Sequence, residues 1–119
     1  MPVARRGPGV YEGVDAVIDK DLAAAVLGAA IGAKLLLILT GVEHVLTGFR
    51  TPAERPLREV RAEEMRRHLE AGEFAPGSMR PKVEAALQFL ATGGERVVVT
   101  TPELCLQGLE GGTGTQILP

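Results

Sequence analysis

The chain has one cysteine, Cys105, in 119 residues, so it cannot close a disulfide within itself and cannot build a structural zinc site from several thiolates. A reducing, cytoplasmic setting fits that usage. Excess charge is also scarce: 13 Lys and Arg stand against 15 Asp and Glu, a formal net charge of −2. Nucleic-acid binding by general electrostatics needs a concentrated basic face, and Arg5-Arg6 and Arg66-Arg67 are too small and scattered to make one. No nucleic-acid partner is expected. There is no Gly-rich loop ending in Gly-Lys-Ser or Gly-Lys-Thr, which excludes a P-loop. The one long apolar run, Leu22 to Val42, is interrupted by Lys34 near its middle, where a charge costs most in a bilayer. With Arg5, Arg6, Gly7, Pro8 and Gly9 standing where the apolar stretch of a signal peptide would begin, neither a leader nor a membrane partner is expected.

What is present is an ordinary globular balance, 45% apolar and 24% charged, with length enough for one domain spanning residues 1–119 and a real core. The apolar run changes character at Lys34. Alanine-rich residues 22–33 favour a helix, from about Asp21 to Ala33 and capped by Asp19 or Asp21, whereas Leu35-Leu36-Leu37-Ile38-Leu39 has the length of a central strand. Gly7-Pro8-Gly9 reads as a turn and Val14 to Ile18 as a short extended segment. Gly48, Pro52 and Pro56 among polar residues make Leu46 to Arg58 a long excursion rather than a packed element.

Arg61 to Glu70 reads as an exposed helix with Met65 and Leu69 on its apolar side. Ser78 can cap a further helix buried through Val83, Ala86, Leu87 and Leu90, with Pro81 tolerated in its first turn and Gly93-Gly94 as its stop. The three valines within Arg96 to Thr100 favour a strand. Pro102 opens a short helix to about Leu109, and Thr115 to Leu118 closes the chain as a strand. Strands alternating with helices imply an α/β layered fold, with ligands expected off the carboxyl ends of the strands. The turn after Thr40, the loop before Ser78 and the turn after Thr100 should meet there.

Two segments bring chemistry to that edge: Asp19-Lys20-Asp21, and Ala75-Pro76-Gly77-Ser78-Met79-Arg80-Pro81-Lys82. Each sets a lysine beside a helix N-terminus, whose backbone N–H groups and dipole attract anions. Lys20 and Lys82 would face phosphate oxygens, and Asp21 would hold both ammonium groups by charge-assisted hydrogen bonds. Taken alone, each segment also reads as a solvated cap. Phosphoryl transfer asks a protein chiefly for positioning and charge stabilisation, which such a clamp supplies.

From Gly13 onward the chain resembles the nucleotide-binding half of carbamate kinase, within the amino acid kinase superfamily. The stretches that carry the resemblance are Gly13-Val14-Asp15-Ala16-Val17-Ile18-Asp19-Lys20-Asp21-Leu22-Ala23, Leu36-Leu37-Ile38-Leu39-Thr40-Gly41-Val42-Glu43, and Phe74-Ala75-Pro76-Gly77-Ser78-Met79-Arg80-Pro81-Lys82-Val83-Glu84-Ala85-Ala86. The resemblance implies a three-layer αβα sandwich and phosphoryl transfer between ATP and carbamate, with carbamoyl phosphate and ADP on the other side, typically in arginine breakdown. It assigns Lys20 and Lys82 to the transferred phosphate, Asp21 to their orientation, and Thr40, Gly41, Val42, Leu46, Pro76, Gly77, Ser78 and Met79 to the nucleotide. ATP or ADP is the implied cofactor, and magnesium arrives through the nucleotide, with no dedicated metal site in the protein.

Three positions depart from the family pattern: Glu43, which moves the charge of an aspartate outward by a methylene, Leu46 and Arg80. Where the family usually runs Val-Asp-x-Val-Tyr, this chain has Val42-Glu43-His44-Val45-Leu46, so Leu46 removes an aromatic ring and a hydroxyl from the nucleotide side. His44, a lone loop histidine, reads as a surface residue. Arg80 replaces a small or apolar residue. The family's first half, with its own phosphate loop and carbamate-binding residues, has no counterpart here. The expectation is therefore a truncated carbamate-kinase-like domain retaining nucleotide binding alone. The alternatives are a non-catalytic domain that oligomerises or binds a partner, or one subunit of a split kinase completed by a separate N-terminal chain.

Overall fold

A computed structural model describes residues 3–7, 10–13, 20–48, 52 and 54–119, with side chains from residue 20 onward. Strands β1 (Val3–Gly7) and β2 (Val10–Gly13) form an antiparallel pair. Pro8, Gly9 and the segment expected to be extended at Val14 to Ile18 lie outside the described residues, as does Asp19.

The main sheet contains β3 (Leu35–Leu39), β6 (Glu59–Arg61), β7 (Arg96–Thr100) and β8 (Thr115–Leu118) in the order β3-β7-β8-β6. β3 runs parallel to β7, β7 antiparallel to β8, and β6 parallel to β8. The sheet is therefore mixed, and among the described residues β3 is an edge strand rather than the central one expected. Its run of five apolar residues is buried on one face only, at Leu36 and Ile38, while Leu35 and Leu39 are 37% and 41% exposed. An unbroken apolar block does not announce which of its faces or edges is covered.

Helices α1 (Lys20–Ala30), α2 (Ala62–Glu70) and α3 (Met79–Ala91) belong to one layer. Their buried residues Ala25, Met65, Val83, Ala86, Phe89 and Leu90 join Leu36, Ile38, Val60, Val97, Val99 and Ile117 of the sheet in a single core. The opposite face is covered by α4 (Cys105–Leu109), which follows a 3-10 turn at Pro102–Leu104. A β-carbon on Gly108 would stand 3.1 Å from Thr100 Cγ2 and 3.2 Å from Val98 Cγ1, so glycine lets α4 lie close on β7. The Arg96 guanidinium donates to the Leu109 carbonyl at 2.9 Å and the Gln116 amide to the Gly108 carbonyl at 2.7 Å, holding that helix down. Three layers, helix on sheet on helix, result.

The close fit of α1 on α3 explains why α1 is rich in small residues. Asp21, Ala25 and Gly28 follow one another at helical spacing, and Ala25 and Gly28 are buried. A β-carbon on Gly28 would meet Phe89 Cε1 at 2.9 Å. On α3 the facing stripe is Lys82, Ala85, Ala86 and Phe89. Small residues on both helices bring the backbones together, and Asp21 comes opposite Lys82 as a consequence. Asp21 lies inside the first turn of α1, and Asp19, the other cap candidate, lies outside the described residues; the helix ends at Ala30 rather than Ala33, shortly before Gly32 turns the chain with φ 74°.

The excursion after β3 is more ordered than its glycine and proline content suggests. β4 (Val45–Thr47) and β5 (Arg55–Leu57) pair as an antiparallel ribbon in which Val45 and Thr47 are buried. Thr115 anchors it: its Oγ1 accepts from the Val45 N–H at 2.8 Å and donates to the Leu57 carbonyl at 2.6 Å. Pro56 stands opposite Leu46 in a two-stranded ribbon, both of whose strands are edges, where proline is tolerated.

Candidate nucleotide site

Lys20 opens α1 and Asp21 follows it. Lys82 lies in the first turn of α3. The fold brings the two segments together: Lys82 Nζ lies 2.9 Å from Asp21 Oδ2 and Lys20 Nζ 3.3 Å from Asp21 Oδ1. The Lys82 and Asp21 side chains are only 14% and 12% exposed, against 78% for Lys20. Burial pushes the Asp21 carboxyl up, but the hydrogen bonds and charges of Lys82 and Lys20 outweigh it and hold the group below the usual aspartate range. Asp21 is thus an anion that fixes a buried ammonium and a mobile one at the head of two helices. Among the described residues of this cluster two positive groups share one carboxylate, a balance suited to phosphate oxygens.

Beside this cluster is a cavity of about 270 Å³ lined by Thr40, Gly41, Val42, His44, Leu46, Ala75, Ser78 and Met79. The Thr40 N–H donates to the Thr100 carbonyl at 2.8 Å, so the ends of β3 and β7 are tied at the edge where the cavity opens. Val42, Leu46, Ala75 and Met79 give it apolar walls that suit the faces of an aromatic ring. Ser78 precedes α3 without a side-chain capping bond, contrary to the cap expected of it; the backbone there has φ −138° and ψ −71°, outside the extended conformation of a usual N-cap.

Of the residues assigned to the nucleotide, Thr40, Gly41, Val42, Leu46, Ser78 and Met79 line the cavity. Pro76 and Gly77 are exposed and are not among its lining residues, and neither is any residue of the turn after Thr100. Arg80 is half exposed, its Nε donating to Glu84 Oε1 at 2.9 Å, one turn further along the same helix. Sequence reasoning missed two members of the wall, Ala75 and His44. Ala75 adjoins the Pro76-Gly77 loop and carries no signal of its own. His44 is a correction: it is 7% exposed, not a surface residue. It stands directly before β4, and the ribbon that begins there was not legible.

The residues present fit a nucleotide: an apolar slot for a planar base and, three residues along α3 from Met79, the ammonium of Lys82 for phosphate. A profile of the amino acid kinase family matches residues 4–101. The chain is 48% identical over 118 residues to the carbamate kinase-like protein YahI of Escherichia coli, covering 99% of this chain and 37% of that one. It is 44% identical to the carbamate kinase of Thermoplasma acidophilum, again over 99% of this chain and 38% of the relative. The structure of carbamate kinase from Giardia lamblia bound to AMP-PNP superposes with a TM-score of 0.92 at 38% identity, covering 98% of this chain and 41% of that one. The chain thus spans about two-fifths of the length of these relatives. Fold, segment order and profile agree: the chain belongs to the amino acid kinase family.

Proposed function

We propose that this chain is the nucleotide-binding part of a carbamate-kinase-like phosphotransferase, taking ATP or ADP with magnesium carried on the phosphates. The observation that carries the reading is Asp21 gripping both Lys20 and Lys82 next to an apolar cavity of about 270 Å³. The base enters between Val42, Leu46 and Met79. Lys82, held by Asp21, fixes the phosphate chain, and Lys20, more exposed and able to move, follows the charge on the transferred group. A pairing held in the absence of ligand keeps the ammonium groups oriented before phosphate arrives, which lowers the cost of ordering them on binding. The carbamate subsite lies outside these residues, so phosphoryl transfer between ATP and carbamate, the step typical of arginine breakdown in the cytoplasm, is the activity of the assembled enzyme. Calorimetry with millimolar Mg-ATP tests the reading. Binding lost in Lys82→Ala and weakened in Lys20→Ala supports it, and absence of heat from the unaltered chain sinks it.

A second reading concerns the outer face of α1. Leu22, Val26, Leu27 and Ile31 are 41%, 51%, 61% and 72% exposed, and β3 beside them is a sheet edge among the described residues. Contiguous exposed apolar surface and an unpaired edge mark an interface. On this reading the face is covered by a second copy or by a separate chain carrying the carbamate site, as in a split kinase. Light scattering separates the two: a strict monomer at micromolar concentration counts against self-association. If an added N-terminal half restores no ATP synthesis from carbamoyl phosphate and ADP, the split enzyme is excluded.

A further inference from the structure

We infer that His44 reads the base of the bound nucleotide and selects adenine over purines with a carbonyl at position 6. The inference rests on the nucleotide reading above and adds to it the group that decides which base is accepted.

His44 belongs to the turn between β3 and β4, lines the apolar cavity and is 7% exposed. Its Nδ1 lies 3.2 Å from Glu43 Oε2, and its Nε2 is buried without a hydrogen-bond partner. A buried polar atom left unpaired costs about 1–3 kcal/mol, and native structures rarely tolerate one without a use. The other described lining side chains are aliphatic, a thioether or hydroxyls, so among them His44 offers the ring nitrogen.

In a neutral ring whose Nδ1–H donates to the Glu43 carboxylate, Nε2 carries the lone pair. Nε2 is then an acceptor. Adenine presents an exocyclic amine at position 6, a donor, whereas guanine and hypoxanthine present a carbonyl there, a second acceptor. Nε2 is shielded by the cavity wall, and a side-chain adjustment of the kind common on binding turns it toward the base. With adenine, a formerly unpaired nitrogen gains its partner. With guanine or hypoxanthine two lone pairs face each other and both atoms stay unsatisfied. The phosphates contribute equally to all three nucleotides, so Lys20, Asp21 and Lys82 cannot produce this discrimination. Selection by a directed polar group also suits a slot whose remaining walls recognise only ring shape.

The test is calorimetric titration of the full chain with the magnesium salts of ATP, GTP and ITP, the last carrying a carbonyl at position 6 and no 2-amino group. The unaltered protein is expected to bind ATP at least about tenfold more tightly than ITP, a difference of about 1.4 kcal/mol. His44→Leu should bring the two within about threefold of each other by weakening ATP, and His44→Gln, whose amide can turn its oxygen to an amine or its NH2 to a carbonyl, should bind both with little preference. Urea unfolding of each variant checks that it is folded, and the ATP-to-ITP ratio of the unaltered chain stands even where a variant is not. Equal affinity for ATP and ITP overturns this inference and leaves the nucleotide reading standing. An unchanged ratio in folded His44→Leu overturns it too. Heat with no nucleotide overturns both.

Discussion

The Val45 N–H donates to Thr115 Oγ1 at 2.8 Å, across 70 positions of sequence, and the same hydroxyl donates to the Leu57 carbonyl. One buried threonine therefore fastens both strands of the β4–β5 ribbon to the main sheet. That ribbon carries Leu46 and follows directly on His44, so Thr115 fixes one wall of the cavity from behind without lining it.

Thr115→Val keeps the shape of the side chain and removes both hydrogen bonds. It is expected to cost about 2–3 kcal/mol in urea unfolding, because a buried N–H and a carbonyl lose their partner together. Thr115→Ser should recover most of that loss. If valine and serine are equally stable, the hydroxyl does not anchor the ribbon.

The lowered Asp21 carboxyl makes stability depend on pH in a definite direction. Its folded pKa lies below the unfolded one, so the Asp21–Lys82 pairing contributes in full above the unfolded aspartate value, about 3.9, and is lost as pH falls through the folded value. Unfolding free energies measured between pH 6 and pH 3 should fall more steeply for the unaltered chain than for Asp21→Asn. At neutral pH the asparagine variant should be less stable by about 1–3 kcal/mol, since the Lys82 ammonium loses its charged partner. Parallel pH profiles would contradict the pairing.

Lys20 and Lys82 share a carboxylate but differ in exposure, 78% against 14%. Lys20→Ala should leave the urea midpoint almost unchanged, within about 0.5 kcal/mol, because an exposed ion pair is screened by water. Lys82→Ala should lower it measurably, because Asp21 loses the less exposed of its two lysine partners. Both should weaken Mg-ATP binding. A stability loss equal in the two variants would show that exposure does not separate their roles.

Gly94 is required by the ring of Phe89 rather than by backbone conformation. A β-carbon there would stand 2.3 Å from Phe89 Cε2 and 2.4 Å from Cδ2, and Phe89 is fully buried in the core. Gly94→Ala should cost about 1–3 kcal/mol, as overpacking does. Gly93 has φ 106° and open space around it, so Gly93→Ala should be destabilising through backbone strain alone. Calorimetric melting of the two variants, and of each combined with Phe89→Leu, tells them apart, since the smaller side chain should relieve only the Gly94 variant.

Part of the fold was legible because particular residues leave little choice. The three valines of β7 resist a helix, and the stripe of Val83, Ala86, Leu87 and Leu90 in α3 is buried as its spacing implies. β6 was not legible, because Glu59–Arg61 is three residues long and carries two charges, and only its pairing with β8 makes it a strand. The β4–β5 ribbon was read as an excursion because its order comes from Thr115, far away in sequence. In the site, Lys20 and Lys82 were marked by their place beside helix starts, whereas burial of His44 carries no local signal, because a lone loop histidine reads the same whether covered or exposed.

By itself the sequence determined the alternation of helices and strands, that these 119 residues close no disulfide among themselves and hold no P-loop, and the two lysine-bearing helix starts, since all of these rest on local propensity, composition or adjacency. Tertiary structure alone decided that β3 is an edge strand among the described residues, that His44 is buried with an unpaired Nε2, and that Asp21 meets Lys82. Each of these joins residues distant along the chain, and their meeting is fixed by packing: Ala25 and Gly28 let α1 approach Phe89 of α3 closely, and that approach brings the carboxylate within hydrogen-bond reach of the ammonium.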